Sequence, residues 1–331
     1  MRIVLCYPIE RRHYEQFVAT APGHEFIDAG QERIATELLD ADIFMGHAKV
    51  PVPWDEVVAR GRLKWIQSSA AGLDHCLVPS VIASEIPVTS ASGLFADQVA
   101  EQTFALLLGL LRGLPTFFRA QQKREFIRRP TRDLHGASVG IVGFGGNGRR
   151  IAEVLAQYNC RIVATDAFPR EKPAHVEAIW PADRLPELLS SVDIVILCTP
   201  LNATTRGLMA AKEFATMKPG SIFINVARGQ CVVESDLIAA LQSGHLWGAG
   251  VDVTEVEPLP VESPLWDLPN VIITPHVGAQ SHRRADDTTD LLCENLKRYL
   301  ASEPLLNLVD KNLGFPEYVS NQWRTDARAR G

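Results

Sequence analysis

The sequence has few cysteines, and their spacing does not suggest a disulfide framework. Six are spread through 331 residues, and none forms a C-x-x-C pair. They are Cys6, Cys76, Cys160, Cys198, Cys231 and Cys293. Isolated thiols of this kind are typical of proteins in a reducing compartment. We interpret most of them as buried thiols, and we expect no metal site.

Excess positive charge and long N-terminal apolar runs are lacking as well. The chain has 33 lysines and arginines against 39 aspartates and glutamates, a formal net charge of -6. No general field then attracts phosphate backbones or anionic membranes. The N-terminal stretch MRIVLCYPIERRHYE has an apolar run of about seven residues, too short for a signal-peptide core or a membrane span. We expect a cytoplasmic protein with no nucleic-acid partner and no membrane partner.

Hydrophobic residues make up 46% of the chain, which allows a large core in about two domains. Short apolar runs that predict strands fall into two series. The first series covers residues 2–8, 25–30, 42–47, 64–70 and 86–91, and the second covers 138–144, 160–166, 193–199, 221–227, 248–253 and 271–275. The intervals between the runs are long enough for crossover helices, as ERRHYEQFVATA illustrates. This alternation predicts the α/β class with two parallel-sheet units.

Three further segments have distinct patterns. Residues 97–114 are apolar on nearly every side, which predicts a helix buried between layers, domains or subunits. Residues 281–302 have apolar positions on one side and predict a surface helix. The tail from residue 312 shows no period, and we expect it to be partly disordered.

The stretch IVGFGGNGRRI contains one G-x-G-x-x-G frame, formed by Gly143, Gly145 and Gly148. A predicted strand precedes it and an amphipathic helix follows, which is the context of a dinucleotide-binding turn. In such a turn the first glycine makes the tight bend, the second admits a pyrophosphate and the third lets the helix pack closely. The start of the helix then favours the anion. The alternative is a turn that merely packs a helix on a sheet.

Asp166 ends the next predicted strand, 18 residues after Gly148. A carboxylate there can accept hydrogen bonds from the adenosine ribose, and it would repel a 2'-phosphate. This predicts NAD as the cofactor, with NADP disfavoured. Arg170 lies close enough in sequence to weaken that preference, and the alternative for Asp166 is a turn or helix-cap residue.

Three stretches follow predicted strands at the edge where open α/β sheets bind ligands. They are NVARGQ (225–230), VDVTEVEPLPVESPLW (251–266) and TPHVGAQ (274–280). They bring Arg228, Glu257 and His276 to the cofactor side of the sheet. Taken singly, each has a structural alternative: a solvated arginine, a turn glutamate before proline, and a packing histidine.

The chain closely resembles the D-isomer-specific 2-hydroxyacid dehydrogenase family over most of its length, most strongly from 95 to 280. The glycine turn with Asp166, the N-x-x-R-G of 225–229, the V-D-V and E-P-L-P segment and the T-P-H-x-G of 274–278 occur in the family's order. The resemblance implies NAD-linked interconversion of a D-2-hydroxy acid and its 2-keto acid, with Arg228, Glu257 and His276 as catalytic residues. Formate dehydrogenases are similar in fold but have glutamine where Glu257 stands.

Chemistry explains why this reaction needs those three side chains. The guanidinium of Arg228 can hold the substrate carboxylate by two parallel charge-assisted hydrogen bonds. Hydride arriving at the carbonyl carbon leaves an alkoxide, and His276 can supply its proton because imidazole titrates near neutral pH. Glu257 on the other ring nitrogen would stabilise the imidazolium and fix its tautomer.

The resemblance also assigns binding residues. Gly146 and Asn147 should present backbone N–H groups to the pyrophosphate, although the family often has a basic and a β-branched residue there. Further expected cofactor contacts are Thr199, Pro200, Val226, Ala227, Arg228, Asp252, His276 and Gly278. Ala71 and Gly72 should meet the substrate carboxylate through backbone N–H groups, together with Arg228 and His276. The alternative for the loop of Ala71 and Gly72 is an ordinary turn between a strand and a helix.

The implied fold is a Rossmann NAD domain (98–281) inserted into a flavodoxin-like substrate, or catalytic, domain (1–97 plus 282–331). Both would be doubly wound parallel sheets, with the active site in a cleft between them and the 97–114 helix at a homodimer interface. The substrate stays open among glyoxylate- or hydroxypyruvate-like, lactate-like and phosphoglycerate-like acids. Arg11 and Arg12 either meet an acidic substrate or form a solvated helix start. The alternative function is an NAD(H)-sensing, co-repressor-like binding protein of the same fold.

Overall fold

A computed structural model of the protein describes residues 1–316, and the chain separates into two compact units. One contains Met1–Phe95 and the chain from Ser281 onward, and the other is Ala96–Gln280. The tail predicted to be partly disordered begins at residue 312 and includes a short strand at 315–316. Residues 317–331 of this tail lie outside the described part of the chain.

The elements alternate between strands and helices along both units. The strands are β1 (Arg2–Cys6), β2 (Glu25–Asp28), β3 (Ile43–Gly46), β4 (Trp65–Ser68), β5 (Val88–Thr89), β6 (Ser138–Val142), β7 (Arg161–Asp166), β8 (Ala178–Pro181), β9 (Ile194–Leu197), β10 (Ser221–Asn225), β11 (Leu246–Val251), β12 (Val271–Ile273), β13 (Val309–Asp310) and β14 (Phe315–Pro316). The α-helices are α1 (Arg11–Thr20), α2 (Gly30–Glu37), α3 (Trp54–Ala59), α4 (Pro79–Ala83), α5 (Ala96–Leu111), α6 (Leu114–Gln122), α7 (Gly146–Ala156), α8 (Leu185–Ser191), α9 (Ala211–Thr216), α10 (Glu234–Gln242) and α11 (Arg284–Leu300). Short 3-10 helices cover Leu38–Asp40, Ala182–Arg184, Gly229–Cys231 and Pro264–Asp267.

The first unit is built on a five-stranded parallel sheet with the order β2-β1-β3-β4-β5. Its central strands are buried along almost their whole length, as expected for a parallel sheet covered on both faces. Gln67 in β4 is a buried polar residue, and its Oε1 accepts hydrogen bonds from Thr89 (2.7 Å) and Asn295 (2.6 Å). Because Asn295 lies on α11, this buried network ties that helix to the sheet.

The second unit is built on a seven-stranded parallel sheet with the order β12-β11-β10-β9-β6-β7-β8. The chain starts in the middle at β6, proceeds outward through β7 and β8, and then continues from β9 on the other side. Both sheets are therefore doubly wound, the first in a flavodoxin-like order and the second in a Rossmann order. The predicted α/β fold class is confirmed.

Strand β8 was not predicted, because its sequence AIWP lacks a long apolar run. It is an edge strand whose side chains are at most half-buried. The antiparallel pair β13 and β14 was also missed, since each strand has only two residues. Strand β5 is equally short, but it lies within the predicted apolar run 86–91.

The apolar stretch 97–114 forms one helix as predicted, but this helix ends three residues before the predicted end. Helix α5 ends at Leu111, and α6 begins at Leu114 after a bend of 67°. Gly113 at the bend has a φ of +71°, a left-handed conformation that favours glycine, and Pro115 suits the first turn of the next helix. Ten residues of α5 are buried, and it packs against α7 and against β10, β11 and β12.

Residues 1–316 contain eleven α-helices. None of them alone has the length and apolar character needed to cross a bilayer. Helices α5 and α6 meet the length and composition requirements only as a bent pair.

Candidate active site

The candidate site lies at the carboxyl ends of the strands in the second unit. The strand order reverses between β6 and β9, and open α/β sheets bind ligands in the crevice formed at such a point. The loops after β6, β10, β11 and β12 carry the residues singled out by the sequence. The sheet therefore brings stretches that extend from residue 143 to residue 278 to one edge.

Two of the three glycines in the turn after β6, Gly143 and Gly148, are required for steric reasons. Gly143 has a φ of +92°, and a Cβ there would lie 2.9 Å from the Thr199 nitrogen. A Cβ on Gly148 would lie 2.3 Å from the Gly143 oxygen, so this position needs glycine for the helix to approach the strand. A Cβ on Gly145 would meet nothing within 4 Å. The space beside Gly145 is open at the start of α7, where the first backbone N–H groups lack intrahelical acceptors.

The Asp166 carboxylate is held beside this turn by two backbone groups. Its Oδ2 accepts the Phe144 N–H at 2.7 Å, and its Oδ1 accepts the Phe168 N–H at 2.8 Å. Asp166 thus has the turn-stabilising role that was one of its two interpretations. A carboxylate has about four acceptor sites, so both oxygens retain capacity for ribose hydroxyls.

Asn225, the last residue of β10, shapes the loop that carries Arg228. Its side chain accepts the Ala227 N–H at 3.0 Å and donates to the Arg228 carbonyl at 3.3 Å. The Arg228 Nη1 donates to the Ala227 carbonyl at 2.8 Å. Val226 and Ala227 are buried in this loop, whereas Arg228 is partly exposed.

Glu257 and His276 form a hydrogen-bonded pair. Glu257 Oε2 lies 2.8 Å from His276 Nδ1, with 38% and 44% of the respective side chains exposed. The pair therefore combines a fixed ring with access from solvent. The second ring nitrogen, Nε2, has no hydrogen-bond partner in residues 1–316, which leaves it available to exchange a proton with a ligand.

The pKa of Glu257 is lowered despite the partial burial of its side chain. Burial by itself raises this pKa, but the hydrogen bond to His276 and the charge of His276 lower it. The Thr254 N–H, which donates to Oε1 at 3.2 Å, and the charge of Arg228 act in the same direction. Glu257 is therefore held as a carboxylate next to the imidazole ring.

Asp252 holds the loop on both sides of His276. Its buried carboxylate accepts hydrogen bonds from the Thr274 hydroxyl (2.6 Å), the Val277 N–H (3.0 Å) and the Gly278 N–H (2.8 Å). The Asp252 carbonyl also accepts the His276 N–H at 2.7 Å. The family resemblance implied only a cofactor contact for Asp252, and that contact stays a prediction. The loop-holding role was not predicted.

Gln102 on α5 was also missed by the sequence reasoning. Its Nε2 donates to Thr274 Oγ1 at 2.8 Å, and Thr274 in turn donates to Asp252. This relay connects the buried helix to the His276 loop. No signal in the sequence distinguished it, because α5 also contains Asp97, Gln98, Glu101 and Thr103.

Ala71 and Gly72 belong to the first unit, in the loop after β4. The base of that loop is held by the Ser69 N–H, which donates to the Gly46 carbonyl at 3.0 Å, and by the Ala91 N–H, which donates to the Ala70 carbonyl at 2.9 Å. Ala71 is exposed and Gly72 is partly exposed. Their expected contact with a substrate stays a prediction.

Arg11 and Arg12 are paired with carboxylates at the exposed start of α1. Arg11 contacts Glu15 at 2.7 Å, and Arg12 contacts Glu10 at 3.0 Å and Asp286 at 2.9 Å. These contacts favour the solvated helix start over a substrate contact. Within residues 1–316, no group of three or more histidine, cysteine, aspartate or glutamate side chains could hold a metal ion.

The fold and this site define an α/β protein with a dinucleotide-type turn and an Arg, Glu and His set at one sheet edge. Residues 104–278 match the model of the D-isomer specific 2-hydroxyacid dehydrogenase, NAD binding domain. The chain belongs to this family of oxidoreductases, as its sequence indicated.

Relatives that carry enzyme names are consistent with that membership. The chain is 33% identical over 254 residues to a human protein named glyoxylate reductase/hydroxypyruvate reductase, covering 75% of this chain and 77% of the relative. It is similar to a D-isomer specific 2-hydroxyacid dehydrogenase from Xanthobacter autotrophicus Py2 solved with NADPH and MES (TM-score 0.81, 32% identity, 95% and 99% coverage). It is also similar to an NADPH-dependent glyoxylate/hydroxypyruvate reductase from Sinorhizobium meliloti solved with NADP and sulfate (TM-score 0.80, 29% identity, 95% and 99% coverage).

Asp252→Asn should loosen the loop that carries His276. An amide has one acceptor oxygen and two donors, so it cannot satisfy the three donors that the carboxylate now accepts, and we expect a loss of about 2 kcal/mol in the free energy of unfolding. Hydrogen exchange of residues 274–278 should become faster. Asp267→Asn, at an exposed position, is the control. Equal exchange rates in the two variants would contradict this role for Asp252.

Proposed function

We propose that the protein transfers a hydride between NAD(H) and a small D-2-hydroxy acid or its 2-keto acid. The observation that carries this proposal is the 2.8 Å contact between Glu257 Oε2 and His276 Nδ1, on loops next to the one that bears Arg228. A histidine oriented by a carboxylate, together with an arginine, provides the groups that reduction of a 2-keto acid requires. Family membership supports the same reaction class.

In the proposed reduction, the bound dinucleotide supplies the hydride that reaches the carbonyl carbon. Arg228 binds the substrate carboxylate through two parallel N–H···O bonds and so orients the carbonyl. The imidazolium of His276 donates a proton from Nε2 to the carbonyl oxygen as negative charge develops there. Glu257 stabilises that imidazolium through Nδ1 and fixes the ring. In the oxidation direction, Nε2 of the neutral ring accepts the hydroxyl proton.

We assign residues 98–281 to NAD binding, with the pyrophosphate at the start of α7. The open space at Gly145 and the first-turn N–H groups of α7 support this assignment. The proposed cofactor-binding residues are Gly143, Gly145, Gly146, Asn147, Gly148, Asp166, Thr199, Pro200, Val226, Ala227, Arg228, Asp252, His276 and Gly278. We favour NAD because Asp166 would repel a 2'-phosphate, although two solved relatives contain NADPH or NADP.

We assign residues 1–97 and 282–331 to substrate binding, with the backbone N–H groups of Ala71 and Gly72 at the substrate carboxylate. A short 2-keto acid of the glyoxylate or hydroxypyruvate type is the first candidate, because the human and Sinorhizobium relatives carry those names. The pairing of Arg11 and Arg12 removes one argument for a phosphorylated substrate. We further propose a cytoplasmic homodimer that uses the 97–114 region.

His276→Asn should lower turnover by at least ~10²-fold while NADH affinity stays nearly unchanged, because asparagine cannot supply the proton. The measurement is NADH oxidation over a panel of 2-keto acids, with NADH binding followed by fluorescence. His282→Asn, which changes an exposed histidine, is the matched control. A mild loss in His276→Asn would remove this residue from the mechanism. Binding of NADH without activity on any acid would instead favour an NAD(H)-sensing protein.

Arg228→Ala should chiefly raise KM for the 2-keto acid, since the substrate carboxylate loses its ionic partner. Arg228→Lys keeps the charge but not the planar fork, so it should recover only part of the loss. Steady-state kinetics with the most active acid from the panel measure both effects. Kinetics in Arg228→Ala that match those of the unsubstituted protein would argue against a carboxylate clamp.

Asp166→Ala should narrow the preference for NADH over NADPH, because the charge that repels a 2'-phosphate is removed. Paired titrations with NADH and NADPH measure the ratio of the two dissociation constants. Asp183→Ala, which removes an exposed carboxylate elsewhere in the same unit, is the control. A ratio that Asp166→Ala leaves unchanged would show that Asp166 does not select the cofactor.

A further inference from the structure

Two glutamates outside the catalytic set connect the loops that carry Arg228 and Glu257. Glu234 is the first residue of α10, and Glu255 lies two positions before Glu257. The Glu234 N–H donates to Glu255 Oε2 at 3.2 Å, and the Glu255 N–H donates to Glu234 Oε2 at 3.1 Å. Each carboxylate therefore accepts the backbone N–H of the other residue, and the two loops are joined reciprocally.

Other contacts also hold the Arg228 loop and the Glu257 loop close together. A Cβ on Gly229 would lie 1.8 Å from the Thr254 carbonyl oxygen, so only glycine permits this approach of the backbones. The Gln230 Nε2 donates to the Glu255 carbonyl at 3.1 Å. Hydrogen bonds to a carboxylate are roughly twice as strong as neutral ones, so the two glutamate bonds should contribute most to this connection.

The Glu234 carboxylate is held against the loop that contains Glu257, because it accepts the Glu255 N–H at 3.1 Å. Burial and the charge of Glu255 raise the pKa of Glu234, and these effects outweigh the hydrogen bonds that lower it. Two carboxylates that repel each other are thus kept together by their hydrogen bonds to the loops.

We propose that Glu234 and Glu255 are positioning residues that set the spacing between the Arg228 guanidinium and the Glu257–His276 pair. This inference rests on the proposed function. One substrate molecule must meet the guanidinium with its carboxylate and the imidazole with its carbonyl oxygen at the same time. A misplacement of 1 Å can cost about 10²-fold in rate, so a bridge between the supporting loops affects the reaction without touching the substrate.

The kinetic test compares Glu255→Ala, which removes the bridging acceptor, with Glu255→Gln, which keeps an acceptor oxygen. Glu262→Ala removes one charge from an exposed position of the same loop and serves as the control. We expect kcat/KM for the 2-keto acid to fall by about 10-fold or more in Glu255→Ala, with the dissociation constant of NADH unchanged. Glu255→Gln and Glu262→Ala should stay close to the unsubstituted protein. A loss of thermal stability without this selective kinetic effect would indicate a merely structural role.

A second measurement does not depend on activity. The carboxyl carbon of Glu257 can be titrated by NMR in protein labelled with carbon-13 glutamate, with Glu257→Gln to assign its signal. The hydrogen bond and charge of His276, the Thr254 N–H and the charge of Arg228 lower the pKa of Glu257. Glu255→Ala should separate Glu257 from these groups and move its midpoint upward, whereas Glu262→Ala should not. If Glu255→Ala does not fold, Gln230→Ala removes the hydrogen bond from Gln230 Nε2 to the Glu255 carbonyl. This variant should give a smaller upward shift of the Glu257 midpoint.

The two measurements separate this inference from the proposed function. An unchanged Glu257 midpoint in the bridging variants overturns the positioning role, whether or not the protein reduces 2-keto acids. A shifted midpoint in a protein that reduces none of them supports the bridge and counts against the proposed function alone. A shifted midpoint with unchanged kcat/KM in an active enzyme also overturns the positioning role.

Discussion

The buried carboxylate of Asp252 is the interaction on which the geometry of the candidate site depends. It accepts hydrogen bonds from Thr274, Val277 and Gly278, and so it fixes the chain on both sides of His276. A buried carboxylate is costly unless its acceptors are used, so the loop and the carboxylate stabilise each other. A Cβ on Gly278 would lie 2.8 Å from Oδ2, and this closeness explains the glycine. The orientation of the imidazole ring towards Glu257 follows from this support.

The rest of the site is built by close backbone approaches between neighbouring loops. Gly148 lets α7 reach the turn after β6, and Gly229 lets the Arg228 loop lie against Thr254. Parallel strands place their carboxyl ends at one edge of the sheet. Because Gly148 and Gly229 have no side chains, the loops at that edge can contact each other. Charged side chains then act between loops, as Glu257 does with His276 and Glu234 with Glu255. The proposed chemistry depends on these contacts between loops as much as on the three side chains themselves.

Much of the fold could be predicted because long apolar runs mark buried strands. The runs at 2–8 and 138–144 became β1 and β6, whereas the half-buried edge strand β8 left too weak a pattern. The bend after Leu111 was missed because the apolar pattern of 97–114 outweighed the Gly113 signal. In the site, Arg228, Glu257 and His276 could be selected from their places after strands and from the order of the motifs. Gln102, Glu234 and Glu255 could not be selected from the sequence, because a polar residue on a helix or loop is usually solvated.

The sequence by itself determined the two series of buried strands, the glycine turn and the family. Each of these depends on residues that are neighbours in the chain, through periodic apolar burial and the conformations that glycine allows. Only the tertiary structure decided which partner each charged group takes. Asp166 binds the Phe144 and Phe168 amides, Asp252 binds the His276 loop, and Arg12 pairs with Asp286 from the other end of the chain. The physical reason is that such partners depend on strand order and on the paths of the loops, which bring together groups that the sequence keeps far apart.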